Sequence, residues 1–244
     1  MKDWFKKWFS SDEYLSVYAH RNEDDAENIL NLILDSIPQN KKLRILDAAC
    51  GAGRHSIILA EKGYDITAFD LSKILLKIGS ANAKELNVDV KFLCSDIRYV
   101  TFKRAFDLVL NMFTSFGYFE NDEENFRFYR HAKEFLRKDG IIVLDYLNAA
   151  FLRENIIPYS EKIIDNKLIK ESRVIENNRI IKKIIIETEE STHSFFEAVK
   201  LYSNDQIIRE FEQLGYKLYK TYGDYLGNSY IPATSERLIH FFRL

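Results

Sequence analysis

A glycine-rich turn directly after a short apolar strand is the first feature of this chain that could bind a ligand. Residues 44–55 read Arg-Ile-Leu-Asp-Ala-Ala-Cys-Gly-Ala-Gly-Arg-His, and the acidic residue Asp47 ends the predicted strand. Gly51 and Gly53 let the backbone turn sharply and lie against a ligand, because no Cβ stands in the way. A single Gly-x-Gly turn also occurs in purely structural loops, so its meaning depends on what accompanies it.

Two later strand-like segments also end in acidic residues, at Asp70 and Asp96. In an open parallel sheet, ligands bind outside the carboxyl ends of the strands, where the strand order reverses. Asp70 follows Gly53 by 17 positions and is suited to accept hydrogen bonds from two ribose hydroxyls. Asp96 would accept from the exocyclic amine of adenine, with Ile97 against the ring. Any one of these aspartates could instead cap a turn or helix, but together they predict a pocket for a nucleoside with a charged tail.

Strands that alternate with helices would position these residues. Apolar residues at helical spacing separate the strands, and Ser72 is the predicted N-cap of one of these helices. Alternation of this kind implies a parallel sheet covered on both faces. Asn111, directly after the fourth strand, would lie on the same edge as the aspartates. The predicted strands are Leu43–Leu46, Asp65–Phe69, Val90–Leu93, Phe106–Leu110 and, after a turn at Gly140, Ile141–Leu144.

The pattern changes after Asn148, where long β-branched and aromatic stretches follow one another without intervening helices. Asn177-Asn178 is a plausible tight turn within them. Ser203 to Gln206 then form a capping box that begins a helix, and two strands complete the chain. The predicted strands of this half are Lys167–Ile175, Ile180–Thr188, Ser194–Tyr202, Tyr216–Tyr222 and Arg237–Phe242.

The expected fold is therefore a doubly wound, Rossmann-like α/β sheet with an inserted antiparallel β lid. Residues 1–147 and 203–244 would form the core, with residues 1–39 as an N-terminal helical arm. Residues 148–202 would form the antiparallel insertion over the substrate.

Composition narrows the classes of partner. The chain has 244 residues, enough for one α/β domain with an insertion, and its 35 basic and 37 acidic residues nearly balance. This balance indicates no general affinity for nucleic acid or an anionic membrane. Cys50 and Cys94 have no CxxC partner, so no disulfide framework or metal site is expected. Without a long apolar run or a signal-peptide pattern, we expect a cytoplasmic protein.

These motifs resemble the class I S-adenosylmethionine-dependent methyltransferases, and most closely the bacterial small-molecule type. The resemblance covers most of the chain and rests on the glycine turn, Phe69–Ser72, Ser95–Arg98, Leu108–Phe119 and Leu136–Gly140. It implies S-adenosylmethionine as the cofactor, with the glycine turn and Asp47 on its methionine part. The cofactor-binding residues that it implies are Tyr18, Arg21, Asp47, Ala49, Gly51, Gly53, Asp70, Leu71, Asp96, Ile97 and Asn111.

Two other functions stay open at this point. A nicotinamide-dependent oxidoreductase is suggested by Gly51–Ser56, which nearly matches G-x-G-x-x-G, although Asp96 has no role in that fingerprint. A regulator that binds S-adenosylmethionine without catalysis would carry the same motifs. A nucleic-acid methyltransferase is disfavoured, because Asn111-Met112-Phe113-Thr114 lacks the proline typical of that loop.

A small-molecule acceptor would lie beside the ends of the fourth and fifth strands and under the lid. No residue there is a clear general base, and methyl transfer from a sulfonium needs none if the reactants are held in line. The acceptor atom is left open, and the protein could be a monomer or a homodimer. The candidate substrate residues are Tyr118, Asp145, Asn148, His193 and Tyr202.

Overall fold

Two separate β-sheets organise the computed structural model, which describes residues 3–18, 23–38, 43–103 and 105–244. The seven-stranded sheet has the order β10-β11-β5-β4-β1-β2-β3. Strands β1 to β5 run parallel, and β11 lies antiparallel between β5 and β10. The strands are β1 Arg44–Ala48, β2 Asp65–Asp70, β3 Val90–Cys94, β4 Phe106–Asn111, β5 Leu136–Leu147, β10 Lys217–Tyr222 and β11 Arg237–Arg243.

The four-stranded sheet is antiparallel throughout, with the order β6-β7-β8-β9. Its strands are β6 Tyr159–Ile164, β7 Lys167–Glu176, β8 Arg179–Glu187 and β9 Thr192–Lys200. The helices are α1 Trp4–Trp8, α2 Glu13–Tyr18, α3 Glu23–Ser36, α4 Arg54–Glu61, α5 Lys73–Glu85, α6 Asp122–Phe135, α7 Ala149–Glu154 and α8 Asn204–Gln213.

Successive residues of the central strands belong to two different hydrophobic cores. Ile45 packs in one cluster with residues of α3 and α4, whereas its neighbour Leu46 packs in another with residues of α6 and α8. Side chains alternate between the faces of a strand, so a sheet buried on both faces needs apolar residues at both parities. This arrangement, with the separate antiparallel sheet, confirms the predicted α/β fold class. The assignment of residues 148–202 as a lid stays a prediction.

The local signals for turns and caps agree with the structure. The Ser72 side chain accepts a hydrogen bond from Leu75 N, and Ser203 with Gln206 forms the full capping box. Asn177 and Asn178 have φ of 48° and 58°, the left-handed pair that a two-residue hairpin of this type requires. The equivalent turn between β6 and β7 was not predicted, nor was α7.

The start of β5 differs from the expectation. The strand begins at Leu136, so Gly140 lies inside β5 rather than at a turn before it, and Asp139 takes the left-handed conformation with φ of 63°. A Cβ at Gly140 would lie 2.7 Å from Leu136 Cγ and 2.8 Å from Arg137 O. Glycine is therefore needed at this position for close packing.

The arm at the N-terminus packs against the second sheet. Trp8 is fully buried beside Phe195 of β9, with ring centroids 4.6 Å apart, and shares a cluster with Val17, Ile169 and Ile184. Aromatic pairs of this kind bury large apolar areas. The arm and the second sheet thus form one continuous wall of the molecule.

A buried histidine in β11 makes stability depend on pH. Burial lowers the pKa of His240 to about 3, and its Nε2 has no hydrogen-bond partner among the described residues. In the unfolded chain His240 is protonated below about pH 6.5, whereas in the folded protein it stays neutral down to about pH 3. The free energy of unfolding therefore decreases as the pH falls from about 6.5 towards 3. We expect a loss of up to about 1.4 kcal/mol per pH unit from this residue.

The His240→Phe variant should lack this contribution. Chemical denaturation of both proteins across this pH range measures the difference, in which the other titrating groups cancel. Parallel pH profiles for the two proteins would contradict the expectation.

Candidate functional site

A cavity of about 570 Å³ lies at the carboxyl ends of β1 to β4 and is bounded on the other side by the arm and the second sheet. The core contributes the ends of its strands, with Asp47, Asp70 and Asp96 among them. The arm contributes Trp4, Phe5, Phe9, Tyr14 and Tyr18, and the second sheet contributes Arg173, Ile180, Lys182, Glu197 and Val199.

The glycine turn after β1 needs left-handed backbone at three positions. Ala49, Gly51 and Gly53 have φ of 57°, 58° and 74°. A Cβ on Gly51 would have no atom within 4 Å, so glycine is favoured there by the left-handed backbone and not by a lack of space. A Cβ on Gly53 would lie 2.6 Å from the ring of Phe92, so this glycine serves packing and does not line the cavity.

Asp70 ties this turn to the end of β2. Its carboxylate accepts hydrogen bonds of 2.8 Å from Gly51 N and from Ser72 N. Burial of the side chain raises the pKa of Asp70, and these hydrogen bonds lower it, but the net shift is upward. Each carboxylate oxygen has capacity for a further donor, and Asp70 lines the cavity. The residue can therefore bind hydroxyl groups of a ligand while it holds the turn.

Asp47 is the most deeply buried acid of the site. Burial raises the pKa of Asp47 to about 6, and the nearby charge of Asp70 adds to this rise. The hydrogen bond of 2.6 Å from Ser56 Oγ acts in the opposite direction and lowers the pKa. A buried carboxylate with no cationic partner is costly when ionised. A cationic ligand group beside Asp47 would relieve this cost.

Asp96 is held in an ion pair at the end of β3. Arg98 donates from Nη2 to Oδ2 at 2.7 Å and from its backbone N to Oδ1 at 2.9 Å, and it also contacts Glu124 at 2.8 Å. Burial raises the pKa of Asp96, but the hydrogen bonds and charge of Arg98 bring it below its usual value. Asp96 is therefore ionised, and with Ile97 it lines the cavity.

The structure brings most of the predicted cofactor residues to this cavity. Arg21 lies outside the described residues. Asn111 does not line the cavity: it is fully buried, donates to Ala48 O at 3.1 Å and accepts from Tyr129 OH at 2.8 Å. The lining residues from the predicted set are Tyr18, Asp47, Ala49, Gly51, Asp70, Leu71, Asp96 and Ile97.

Of the predicted substrate residues, Tyr118 lines the cavity and the other four do not. His193 is half exposed and hydrogen-bonded to Glu13 of α2. Tyr202 is buried and donates to Asp122, because the end of β9 turns its ring into the core. These two positions serve the attachment of neighbouring elements.

Asn148 and Asp145 also have structural partners. Asn148 caps α7 and donates to Pro232 O and Ser235 O at 2.9 and 2.7 Å. Asp145 is completely buried and forms an ion pair with Arg237, whose side chain lines the cavity in its place.

Two charged residues of the second sheet, Glu197 and Lys182, line the cavity but were not predicted from the sequence. Glu197 accepts hydrogen bonds of 2.7 Å from Trp8 Nε1 and from Lys182 Nζ, and a third from Tyr18 OH. Burial raises the pKa of Glu197, but Lys182 outweighs it and the net shift is downward. Lys182 stands at the same parity as buried Ile184 and Ile186 of β8. A lysine at the same parity as the apolar residues of β8 could have predicted a cation that faces the inside of the protein.

In residues 3–18, 23–38, 43–103 and 105–244, no group of acidic, histidine or cysteine side chains is placed to hold a metal ion. Over the same part of the chain, no helix combines the length and apolarity needed to cross a bilayer.

Comparisons with known proteins agree with this geometry. Residues 45–140 match the family model of a methyltransferase domain. The chain is 30% identical to the glycine/sarcosine N-methyltransferase of Aphanothece halophytica over 145 residues. The aligned segment covers 59% of this chain and 52% of that protein. It is 23% identical to a ubiquinone biosynthesis O-methyltransferase of Rickettsia typhi, over 86% of this chain and 88% of that one. The chain spans about half the length of the curated relatives that it matches at about 30% identity.

Solved structures extend the likeness to nearly the whole chain. An S-adenosylmethionine-dependent methyltransferase of Clostridium acetobutylicum superposes with a TM-score of 0.80 at 16% identity, over 95% of this chain and 96% of that one. An amino pentose methyltransferase of Micromonospora echinaspora with S-adenosylmethionine bound superposes with a TM-score of 0.70 at 15% identity, over 96% and 97%. At these identities, the likeness shows the shared fold.

Proposed function

We propose that this chain is a class I S-adenosylmethionine-dependent methyltransferase that transfers a methyl group to a small-molecule acceptor and releases S-adenosylhomocysteine. The observation that carries the proposal is the single cavity in which the glycine turn and three aspartates face a wall from the arm and the second sheet. One side would hold the cofactor and the other would hold the acceptor.

The residues present fit S-adenosylmethionine, which supplies an electrophilic methyl group on a sulfonium sulfur. The glycine turn and Asp47 would hold its amino-acid part, because a buried carboxylate with a pKa of about 6 gains from a cationic neighbour. Asp70 would accept from the ribose hydroxyls, and Asp96 with Ile97 would hold the adenine. Tyr18, on the arm, would help to close the site from solvent.

A small-molecule acceptor is supported by the cavity volume of about 570 Å³ and by the similar proteins, whose names include a glycine/sarcosine and an amino pentose methyltransferase. We assign residues 148–202 as a lid over the acceptor, since closure excludes water and positions the reactants. A cytoplasmic location, the absence of nucleic-acid and membrane partners, and a monomeric or homodimeric state belong to the same proposal.

Ligand binding and turnover together test this function. S-adenosylhomocysteine should raise the melting temperature and NADH should not, since only the former matches the three carboxylates. Incubation of the protein and a metabolite extract with methyl-labelled S-adenosylmethionine should then give a labelled small product. Stabilisation by NADH alone would favour the oxidoreductase, and binding of S-adenosylhomocysteine without any labelled product would favour a regulator.

The affinity for S-adenosylhomocysteine should rise with pH around the pKa of Asp47. Above about pH 6 the unliganded carboxylate is ionised and attracts the ligand ammonium group, whereas below it the residue is protonated and binding must displace that proton. We expect affinity to fall by up to about tenfold per pH unit below the pKa of Asp47.

Calorimetry between about pH 5 and pH 7.5 measures this dependence. Asp47→Asn, which keeps an acceptor for Ser56 but cannot titrate, should bind weakly and with a flat pH profile. A wild-type affinity that is constant across this range would place Asp47 away from the ligand cation.

A further inference from the structure

Arg237, the first residue of β11, has hydrogen-bonding capacity that the fold does not use. Its Nε and Nη2 donate to Asp145 Oδ1 at 2.9 and 2.6 Å, and Nη2 also donates to Thr114 Oγ1 at 3.1 Å. A guanidinium carries five N–H donors, and Nη1 has no partner among the residues that the structure describes. The side chain lines the cavity. A rigidly held cation with an unused Nη1 group therefore faces the site.

Thr114 offers a second donor at the same place. Its Oγ1 already accepts from Arg237, and no acceptor for its hydroxyl proton is found within the described part of the chain. Thr114 also lines the cavity. The Arg237 Nη1 group and the Thr114 hydroxyl thus form a pair of unused donors on one wall.

The backbone that presents Thr114 is strained. Phe113 and Thr114 have φ of 54° and 63°, which bulky and β-branched residues rarely adopt. Asp145 holds this conformation, because Phe113 N donates to its Oδ2 at 2.9 Å and Thr114 N donates to its backbone O at 3.0 Å. Strain that a buried residue maintains beside a cavity is typical of functional sites. Asp145 is accordingly a positioning residue for both donors.

Asp145 only partly neutralises the charge of Arg237. The carboxylate of Asp145 also accepts from Tyr225 OH at 3.0 Å and from the backbone at Phe113, so its negative charge is shared among several donors. Burial lowers the pKa of Arg237, but Asp145 raises it further, so the guanidinium stays protonated.

We propose that Arg237 and Thr114 form an oxyanion subsite for the methyl acceptor, so that the substrate is an acidic small molecule bearing a carboxylate or a phosphate. This inference rests on the proposed function. The acceptor is favoured over the cofactor as the ligand because β11 is separated from β1, where the glycine turn begins, by β5 and β4. Three strand spacings place these backbones about 14 Å apart. Guanidinium and hydroxyl donors recognise both kinds of oxyanion.

A fractionated metabolite extract tests the substrate class. The extract is separated by ion exchange into acidic, neutral and basic fractions, and each is incubated with the protein and methyl-labelled S-adenosylmethionine. We expect label in the acidic fraction. Prior treatment of that fraction with phosphatase should abolish labelling if the anion is a phosphate ester and leave it intact if it is a carboxylate. Labelling confined to the neutral or basic fraction would overturn the subsite and leave methyl transfer standing.

Variants of Arg237 test the subsite itself. Arg237→Lys keeps a charge for Asp145 but loses the unused Nη1 donors, and should raise the KM for the labelled acceptor by about 30- to 150-fold. Its affinity for S-adenosylhomocysteine should stay within about threefold of wild type. Thr114→Val should raise KM by about tenfold, and Thr114→Ser should restore it. The matched control is Arg243→Lys at the other end of β11, where the side chain is exposed.

A binding assay without turnover separates the two proposals. Benzoate, benzamide and inorganic phosphate are titrated into the protein saturated with S-adenosylhomocysteine. Arg237→Lys should weaken at least one of the two oxyanions by about tenfold or more and leave benzamide unchanged. If the variant loses affinity for S-adenosylhomocysteine, or weakens neither oxyanion, the subsite is refuted whether or not methyl transfer has been detected. Failure of S-adenosylhomocysteine to bind wild type would instead refute the proposed function.

Discussion

Asp70→Ala is expected to weaken the binding of S-adenosylhomocysteine by about 30- to 1,000-fold, because two ribose hydroxyls would lose charge-assisted acceptors. It should also lower the free energy of unfolding by about 1–3 kcal/mol without any ligand. Gly51 N and Ser72 N each donate to this carboxylate at 2.8 Å in a buried environment. Both N–H groups would be left without that acceptor. Calorimetry and denaturant unfolding measure the two effects.

Asp70→Asn tests the contribution of the charge, since the amide keeps one acceptor oxygen and loses the charge. It should fall between wild type and the alanine variant in both measurements. Asp65→Asn is the matched control, because Asp65 begins the same strand at the opposite end and forms exposed ion pairs with Arg44 and Lys91. Unchanged ligand affinity in Asp70→Ala would remove the residue from the site, and unchanged stability would show that the turn holds without it.

Glu197→Ala is expected to lower the free energy of unfolding by about 3 kcal/mol, since removing one partner of a largely buried ion pair leaves Lys182 with the more distant Glu171, whose Oε1 lies 3.7 Å away. Lys182 would lose its closest carboxylate, and Trp8 Nε1 and Tyr18 OH would lose their acceptor. The arm would then be held to the second sheet by its apolar contacts and by the polar contacts of Glu13 with His193 and of Val17 O with Lys162. Because Tyr18 lines the cavity, ligand affinity should fall as well.

The matched control is Glu187→Ala on the neighbouring strand. Glu187 pairs with Lys170 near the surface, so its removal should cost less than about 1 kcal/mol. Thermal unfolding of the three proteins distinguishes these values. Equal losses for the two variants would mean that the Glu197 network contributes no more than a surface pair.

The sequence predicted those features that short-range physics determines. Helix caps such as Ser72 and the paired asparagines at 177–178 depend on a few neighbouring residues, and the structure agrees with both. The acidic strand ends were found because the carboxyl ends of parallel strands must meet at one edge. Asp47, Asp70 and Asp96 all line the cavity.

The partner of a polar residue at a strand end could not be predicted in the same way. Asn111 and Asp145 also stand near such ends, but their hydrogen bonds go to Tyr129 on a helix and to Arg237 on a strand far along the chain. Those contacts exist only once the whole sheet is assembled. Likewise, the inward parity of Glu197 depends on the register of β9 against β8, which the sequence pattern alone leaves undetermined.

The contact between the arm and β9 has a consequence for the order of folding. Trp8 and Glu197, which hydrogen-bond to each other, are 189 residues apart. During synthesis, the arm therefore emerges before β9 and finds its partner only after β9 has left the ribosome. Contacts of such long sequence separation form late, because the loop between them must be closed first. We therefore expect the arm to close over the cavity only after β9 has paired with β8.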